Sequence, residues 1–211
     1  MDVDTIWQVT DTERASLADF VEALTPEQWA TPSLCEGWTV GDVAAHLTLA
    51  HTGWLTATVE AARAFGSFNR MIHDTAVRAG GHEPAVYAER LRAMVGSRRR
   101  APVVSPVEPM LDAIVHGQDM AIPLGIDRPV PLEGSATAAQ RGYDMGFPFG
   151  ARRRLRGLRL QATDTDWSVG SGDLVEGPMG ALLLLVTGRT SAALPGLVGP
   201  GAPKIAHKTA H

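Results

Sequence analysis

The sequence predicts a mainly α-helical protein, an antiparallel four-helix bundle followed by a small α/β unit near the C-terminus. Apolar residues recur at helical spacing in four segments of residues 1–125. Prolines or capping boxes mark the starts of the last three of these segments. Beyond residue 154 the apolar period shortens toward two, which is typical of strands. We therefore predict a bundle over 1–150, an α/β domain over 151–205 and a frayed tail over 206–211.

The first half of the bundle begins with a helix over residues 4–24, whose apolar side chains form one stripe. Residues 24–29 predict a short extra helical turn. Thr25 stands at its N-cap, Pro26 at its first position and Gln28 at its third. Residues 30–38 have no apolar period and predict a loop. Helix two begins at Thr39, which can form a capping box with Asp42.

The remaining bundle helices are predicted from similar start signals. Helix two continues to about Ala64, and residues 65–81 form a mixed connection that ends in two glycines. Helix three opens at Pro84, a favoured first helical residue. Helix four begins at Ser105, with proline next and Glu108 as the partner in a capping box.

The C-terminal part alternates between helix and strand signals. The predicted elements are a helix within 135–150 capped by Ser135, strands within 155–164 and 166–172, and a helix over 176–190. Residues 199–211 are predicted to be frayed, and the last of them, 206–211, lie beyond the predicted α/β domain.

Composition excludes several classes of protein. The 211 residues carry a net charge of −4, which argues against a nucleic-acid partner. The longest apolar run, residues 181–186, is far shorter than the ~20 residues that span a bilayer. The single cysteine excludes a disulfide framework, and the acidic N-terminal segment does not resemble a secretory signal. We therefore expect a cytoplasmic location without membrane attachment.

Two helices carry residues of the types that bind metals. Asp112 and His116 are four apart, which places both on one face of helix four. His46 lies near the apolar stripe of helix two, and three ligands from facing helices would leave an open coordination position. Asp119 could accept a hydrogen bond from the other ring nitrogen of His116. Spacing alone leaves open that the pair arises by chance and that His46 is a core histidine.

Cys35 lies in the loop before helix two, where it is a candidate nucleophile or a small packing residue. No base with a local motif accompanies it. The other histidines lie in connections, in the tail or on another side of helix two. These predicted non-ligands are His51, His73, His82, His207 and His211.

Three segments resemble a known family. They are LTPEQWATPSLCEGWTVGDVAAHL (24–47), PMLDAIVHGQDMAIPLGI (109–126) and LQATDTDWSVGSGDLVEGPMGALLLLVTGR (160–189). The first is similar to the N-terminal signature of the mycothiol-dependent maleylpyruvate isomerase family, a branch of the DinB-like superfamily. The second resembles the family's helix with a carboxylate and a histidine four apart. The third resembles its small C-terminal α/β unit.

The resemblance implies a DinB-like four-helix bundle that holds a divalent metal, usually zinc. At the positions of this sequence that match the family's motifs, the implied metal ligands are His46, Asp112 and His116. The family carboxylate is a glutamate, whereas this chain has the shorter Asp112. The resemblance also implies mycothiol, the low-molecular-weight thiol of actinobacteria, as cosubstrate, and a homodimer is common in the superfamily.

The implied activity is S-transfer to a small electrophile, or its cis-trans isomerisation, by the mycothiol thiolate. Arg152, Arg153 or Arg189 could bind a carboxylate of the substrate or the cosubstrate. One alternative is a thiol-independent metal hydrolase, with Asp119 or Glu108 as its base. Another is a non-catalytic protein that binds a small ligand in the bundle.

Overall fold

The computed structural model describes residues 1–49, 83–100 and 104–208, with side chains up to residue 205. The predicted end of helix two, the connection over 65–81 and four of the predicted non-ligand histidines lie outside the described residues. These histidines are His51, His73, His82 and His211.

The described elements are mostly helices, with three short strands in the C-terminal part. None of the described helices is long and apolar enough to span a bilayer. The helices are α1 (Val3–Glu22), α2 (Pro26–Trp29), α3 (Val40–Leu49), α4 (Pro84–Ala93), α5 (Val107–Ala121), α6 (Leu132–Asp144), α7 (Ala151–Arg154), α8 (Met179–Val186), α9 (Thr190–Ala193) and α10 (Ala202–Lys208), and the strands are β1 (Leu158–Ala162), β2 (Ser168–Gly170) and β3 (Asp173–Gly177).

The contacts divide the chain into two compact units, Asp2–Arg128 and the residues from Pro129 onward. Helix α6 packs against α7 and α8 and therefore belongs to the second unit. The sequence prediction placed that helix in the bundle, with the boundary at residue 150. The predicted fold class, mainly helical with a small C-terminal α/β unit, is confirmed.

In the first unit, α1 and α3 each pack against both α4 and α5. The apolar stripes read from the sequence form the shared core. Burial of such stripes supplies most of the stability of a helix in a protein. Among the larger core side chains with at most 1% exposure are Leu17, Val21, Val40, Val43, Tyr87, Leu91 and Met120.

The short helix α2 fixes the approach to α3. Its predicted capping box is present, because the Gln28 amide N–H donates to Thr25 Oγ1 and the Thr25 amide N–H donates to Gln28 Oε1. Trp29 at its end stacks on Tyr87, with ring centroids 5.4 Å apart. A Cβ added at Gly41 would lie 2.4 Å from Trp29 Nε1, so glycine lets the indole lie flat on α3.

The predicted starts of the other bundle helices are confirmed to within two residues. The Thr39 amide donates to Asp42 Oδ2 at 2.9 Å, and the Asp42 amide donates to Thr39 Oγ1 at 3.2 Å. Helix α4 begins at Pro84. Ser105 donates to the Glu108 carboxylate, but α5 itself begins at Val107 after a proline in helical conformation.

The second unit corrects two sequence predictions. Helix α6 begins at Leu132, and Ser135 is a fully buried residue of its first turn and not its cap. The predicted frayed tail includes helix α10, whose Ile205 is 2% exposed. The Gly201 amide donates to the Leu174 carbonyl, which ties this segment to β3.

The sheet has the order β2-β1-β3, with β2 antiparallel and β3 parallel to β1. The two predicted strands are β1 and β2, and β3 was missed. Strand β3 has only five residues and runs through Gly177 directly into α8, so its residues could be read as the start of the helix. Gly177 is needed there, because an added Cβ would lie 2.5 Å from the Gly196 carbonyl oxygen.

Candidate metal centre

Helices α3 and α5 bring His46, Asp112 and His116 together. His46 Nε2 lies 3.8 Å from Asp112 Oδ2, and His116 Nε2 lies 3.3 Å from Asp112 Oδ1. The two imidazole rings meet edge to face, with centroids 4.9 Å apart. Asp112 and His116 share a face because they are one helical turn apart, and α3 packs against that helix.

The ligand atoms of these three residues all lie within 4.8 Å of one another. The side chains are 20% (His46), 37% (Asp112) and 12% (His116) exposed, so the cluster is partly open to solvent. Two imidazoles and one carboxylate suit a divalent metal such as zinc, at ~2.0–2.2 Å from each ligand atom. The residues present therefore fit the metal that the resemblance implies.

Asp119 lies behind His116 and is completely buried. Its Oδ2 is 2.8 Å from His116 Nδ1, which is the contact expected from the spacing of three. A carboxylate accepts hydrogen bonds, so Nδ1 carries the proton of this bond. This leaves Nε2 directed toward Asp112 and His46.

Cys35 reaches the same carboxylate from the loop before α3. Its Sγ donates to Asp119 Oδ2 at 3.1 Å and lies 3.7 Å from His116 Nδ1. Cys35, His116 and Asp119 form the second cluster of metal-ligand types among the described residues. Sequence reasoning missed this contact, because Cys35 and Asp119 are 84 residues apart and share no local motif.

The Cys35 loop is held against α5 by the backbone. Pro123 has no N–H and cannot donate to the carbonyl of Asp119, four residues earlier. The Leu34 amide donates to that carbonyl instead, at 3.1 Å. Within the loop, Ser33 Oγ accepts from the Cys35 amide at 3.1 Å, and Gly37 adopts a φ of 77° that favours glycine.

Mutual electrostatics shift two protonation equilibria in the cluster. Burial alone would raise the pKa of Asp112, but the attraction of His116 and hydrogen bonds from both histidines outweigh it and lower that pKa. Burial alone would lower the pKa of His116. The attraction of Asp112, together with the hydrogen bonds that His116 makes to Asp112, Asp119 and Cys35, outweighs this effect of burial. The pKa of His116 is therefore raised well above its usual range. The carboxylates therefore favour positive charge at this point, which a divalent metal also supplies.

The arginines predicted to bind a carboxylate lie in the second unit. Arg152 is exposed, pairs with Asp144 and lies over the ring of Tyr143, 5.7 Å from its centroid. Arg153 is exposed on the same short helix. Arg189 is half-buried, and its Nη1 donates to the Thr187 carbonyl at 2.9 Å. Arg152 and Arg189 thus have partners within their own unit, and the binding role of all three stays a prediction.

The fold and this cluster together define a helical-bundle protein with a His, Asp, His constellation of metal-ligand type. Residues 10–109 match the family model described as the mycothiol maleylpyruvate isomerase N-terminal domain. This part of the chain, just under half of its length, is therefore similar to the N-terminal domain of that family, which supports the resemblance seen in the sequence. No curated protein matches the chain in sequence.

Two solved structures share the fold. The crystal structure of the mycothiol-dependent maleylpyruvate isomerase has a TM-score of 0.65, with 12% identity over 96% of this chain and 94% of that chain. A mutant of that isomerase, with one histidine replaced by alanine, has a TM-score of 0.63 at the same identity and coverage.

Proposed function

We propose that this protein is a divalent-metal enzyme that uses mycothiol to isomerise, or to attach sulfur to, a small electrophilic substrate. The match of residues 10–109 to the mycothiol maleylpyruvate isomerase N-terminal domain supports the thiol, and the similar fold of a mycothiol-dependent maleylpyruvate isomerase supports the reaction class. The observation that supports a metal is that the ligand atoms of His46, Asp112 and His116 all lie within 4.8 Å of one another.

Each residue of the cluster has a distinct proposed role. His46 Nε2, an oxygen of Asp112 and His116 Nε2 would hold the metal, while Asp119 keeps the proton of His116 on Nδ1. A metal held there would favour the thiolate form of a coordinating thiol. Because three protein ligands would leave an open position on such a metal, the cosubstrate thiol would have a place to bind.

The sulfur chemistry differs between the two outcomes only in its last step. The mycothiol thiolate adds to a carbon of an electrophilic double bond, and the former double bond becomes a single bond that can rotate. Elimination of the thiolate then restores the double bond in the trans form and regenerates the thiol. Without elimination, the adduct takes up a proton and the carbon–sulfur bond remains, which is S-transfer.

The hydrolase alternative has less support, because both bases named for it are engaged. Asp119 is completely buried and accepts from both His116 and Cys35. Glu108 accepts a hydrogen bond from Ser105 at the start of α5. Asp119 is therefore shielded from water, and the Glu108 carboxylate is already occupied by the Ser105 hydroxyl.

Turnover of maleylpyruvate by chelator-treated and zinc-reconstituted protein tests the proposal. We expect turnover only when zinc and mycothiol are both present, because the thiolate is the nucleophile and the metal favours it. A second, nonisomerisable electrophile such as a haloarene distinguishes S-transfer from isomerisation, because there the thiolate forms the carbon–sulfur bond by displacing halide from the ring. Turnover of esters or amides without any thiol, or full activity without metal, would contradict the proposal.

A further inference from the structure

We propose that Cys35 is a positioning residue for the candidate metal centre, whose thiol fixes the Asp119 carboxylate and through it the ring of His116. This inference rests on the proposed function, because it assigns a role toward the same metal centre. It gives the single cysteine of the chain a role that neither nucleophilic catalysis nor simple packing describes.

The geometry places two donors on one acceptor atom. Asp119 Oδ2 accepts from Cys35 Sγ at 3.1 Å and from His116 Nδ1 at 2.8 Å. The Asp119 side chain is completely buried, so water does not compete for this oxygen. A carboxylate held by two donors has one preferred rotation, and that rotation sets the plane of the imidazole.

The backbone makes Cys35 a fixed donor. The loop is hydrogen-bonded to Asp119 through its backbone as well, since the Leu34 amide donates to the Asp119 carbonyl. The Trp38 amide donates to the Cys35 carbonyl at 3.0 Å, which closes the turn on the other side of the cysteine. Backbone hydrogen bonds therefore connect the loop to α5 directly beside the cysteine.

The same geometry distinguishes positioning from metal ligation. Cys35 approaches His116 from the Nδ1 side, whereas Asp112 lies on the Nε2 side of that ring. The thiol therefore acts on the cluster through Asp119. A thiol that bound a metal held by His46, Asp112 and His116 would instead have to be among the groups around Nε2.

The test compares Cys35→Ala and Cys35→Ser with the wild-type protein in two measurements. The first is the affinity for Co²⁺ and Zn²⁺ by competition with a chromogenic chelator. We expect about a tenfold loss in Cys35→Ala, the low end of the effect of contacts behind a ligand, and an affinity closer to wild type in Cys35→Ser, whose hydroxyl still donates. The second is the exchange rate of the His116 Nδ1 proton in metal-free protein by NMR, which should rise in Cys35→Ala and recover in Cys35→Ser.

Ser33→Ala is the matched control, because it disturbs the same loop and leaves the thiol in place. Equal metal loss in Ser33→Ala and Cys35→Ala, equal loss in Cys35→Ala and Cys35→Ser, or a sulfur-to-cobalt charge-transfer band in the wild type would each overturn the proposal. If the wild type binds no metal, the proposed function fails and proton exchange alone decides: an unchanged rate in Cys35→Ala overturns the positioning role. If Cys35→Ala does not fold, methylthiolation of the only cysteine removes the donor in the wild-type chain.

Discussion

His46→Ala is expected to remove both bound metal and thiol-dependent turnover. The substitution leaves Asp112 and His116, which come from a single helix and cannot enclose an ion from two sides. We expect metal affinity to fall by more than the ~10–100-fold that follows loss of a contact behind a ligand. Metal content after dialysis, measured by inductively coupled plasma mass spectrometry, and turnover with mycothiol are the two readouts.

A control separates loss of a ligand from loss of any histidine. His207→Ala removes a histidine that the sequence predicts to be a non-ligand, and we expect stoichiometric metal in that variant. Circular dichroism shows whether each variant keeps its helices. Stoichiometric metal in a folded His46→Ala protein would contradict the ligand assignment.

Asp119→Asn is expected to weaken metal binding by about 10–100-fold without removing a ligand. Cys35 Sγ and His116 Nδ1 both donate to Asp119 Oδ2. An asparagine has one neutral acceptor oxygen and one NH₂ group in place of the two charged carboxylate oxygens. The ring of His116 then loses its charged partner, and its Nε2 is held less firmly. Chelator competition measures the affinity, and the loss of kcat at saturating zinc should be smaller than the loss of affinity.

The matched control for this variant is Asp19→Asn, a carboxylate in the same unit that pairs with Arg92 at 2.8 Å on an exposed surface. Exposed ion pairs contribute little to stability, so we expect its metal affinity and unfolding temperature to stay near wild type. Equal metal affinity in the Asp119→Asn, Asp19→Asn and wild-type proteins would show that Asp119 does not support the site.

Much of the bundle could be predicted from local sequence because its signals are local. The capping boxes at Thr25 and Thr39 and the proline at Pro84 mark helix starts that the structure confirms. The spacing of Asp112 and His116 likewise fixes their common face, since one helix carries both. For the same reason the contact between His116 and Asp119, three residues apart, was predictable.

Long-range features could not be predicted in this way. Cys35 meets Asp119 only because the loop docks on a carbonyl that Pro123 leaves free, and that needs both segments in place. Strand β3 depends on pairing with β1 rather than on its own five residues. The sequence predicts Ser135 as a helix cap, but the helix begins at Leu132 and Ser135 is buried within its first turn.

Asp112 is shorter than the carboxylate that the resemblance to the isomerase family implies, which is a glutamate. An aspartate at this position must hold its ligand oxygen closer to α5. In the structure the Asp112 oxygens still reach both histidines, at 3.3 and 3.8 Å. The aspartate therefore keeps the carboxylate within the cluster that the proposed metal centre requires.

The most direct test of the metal centre is diffraction from zinc-loaded crystals, with anomalous data collected on both sides of the zinc absorption edge. The account predicts a peak bonded to His46 Nε2, His116 Nε2 and an Asp112 oxygen, each at about 2.0–2.2 Å, with Asp119 on the far side of the His116 ring. A zinc ion bound by Cys35 and Asp119 instead, or no zinc at this cluster, would contradict it.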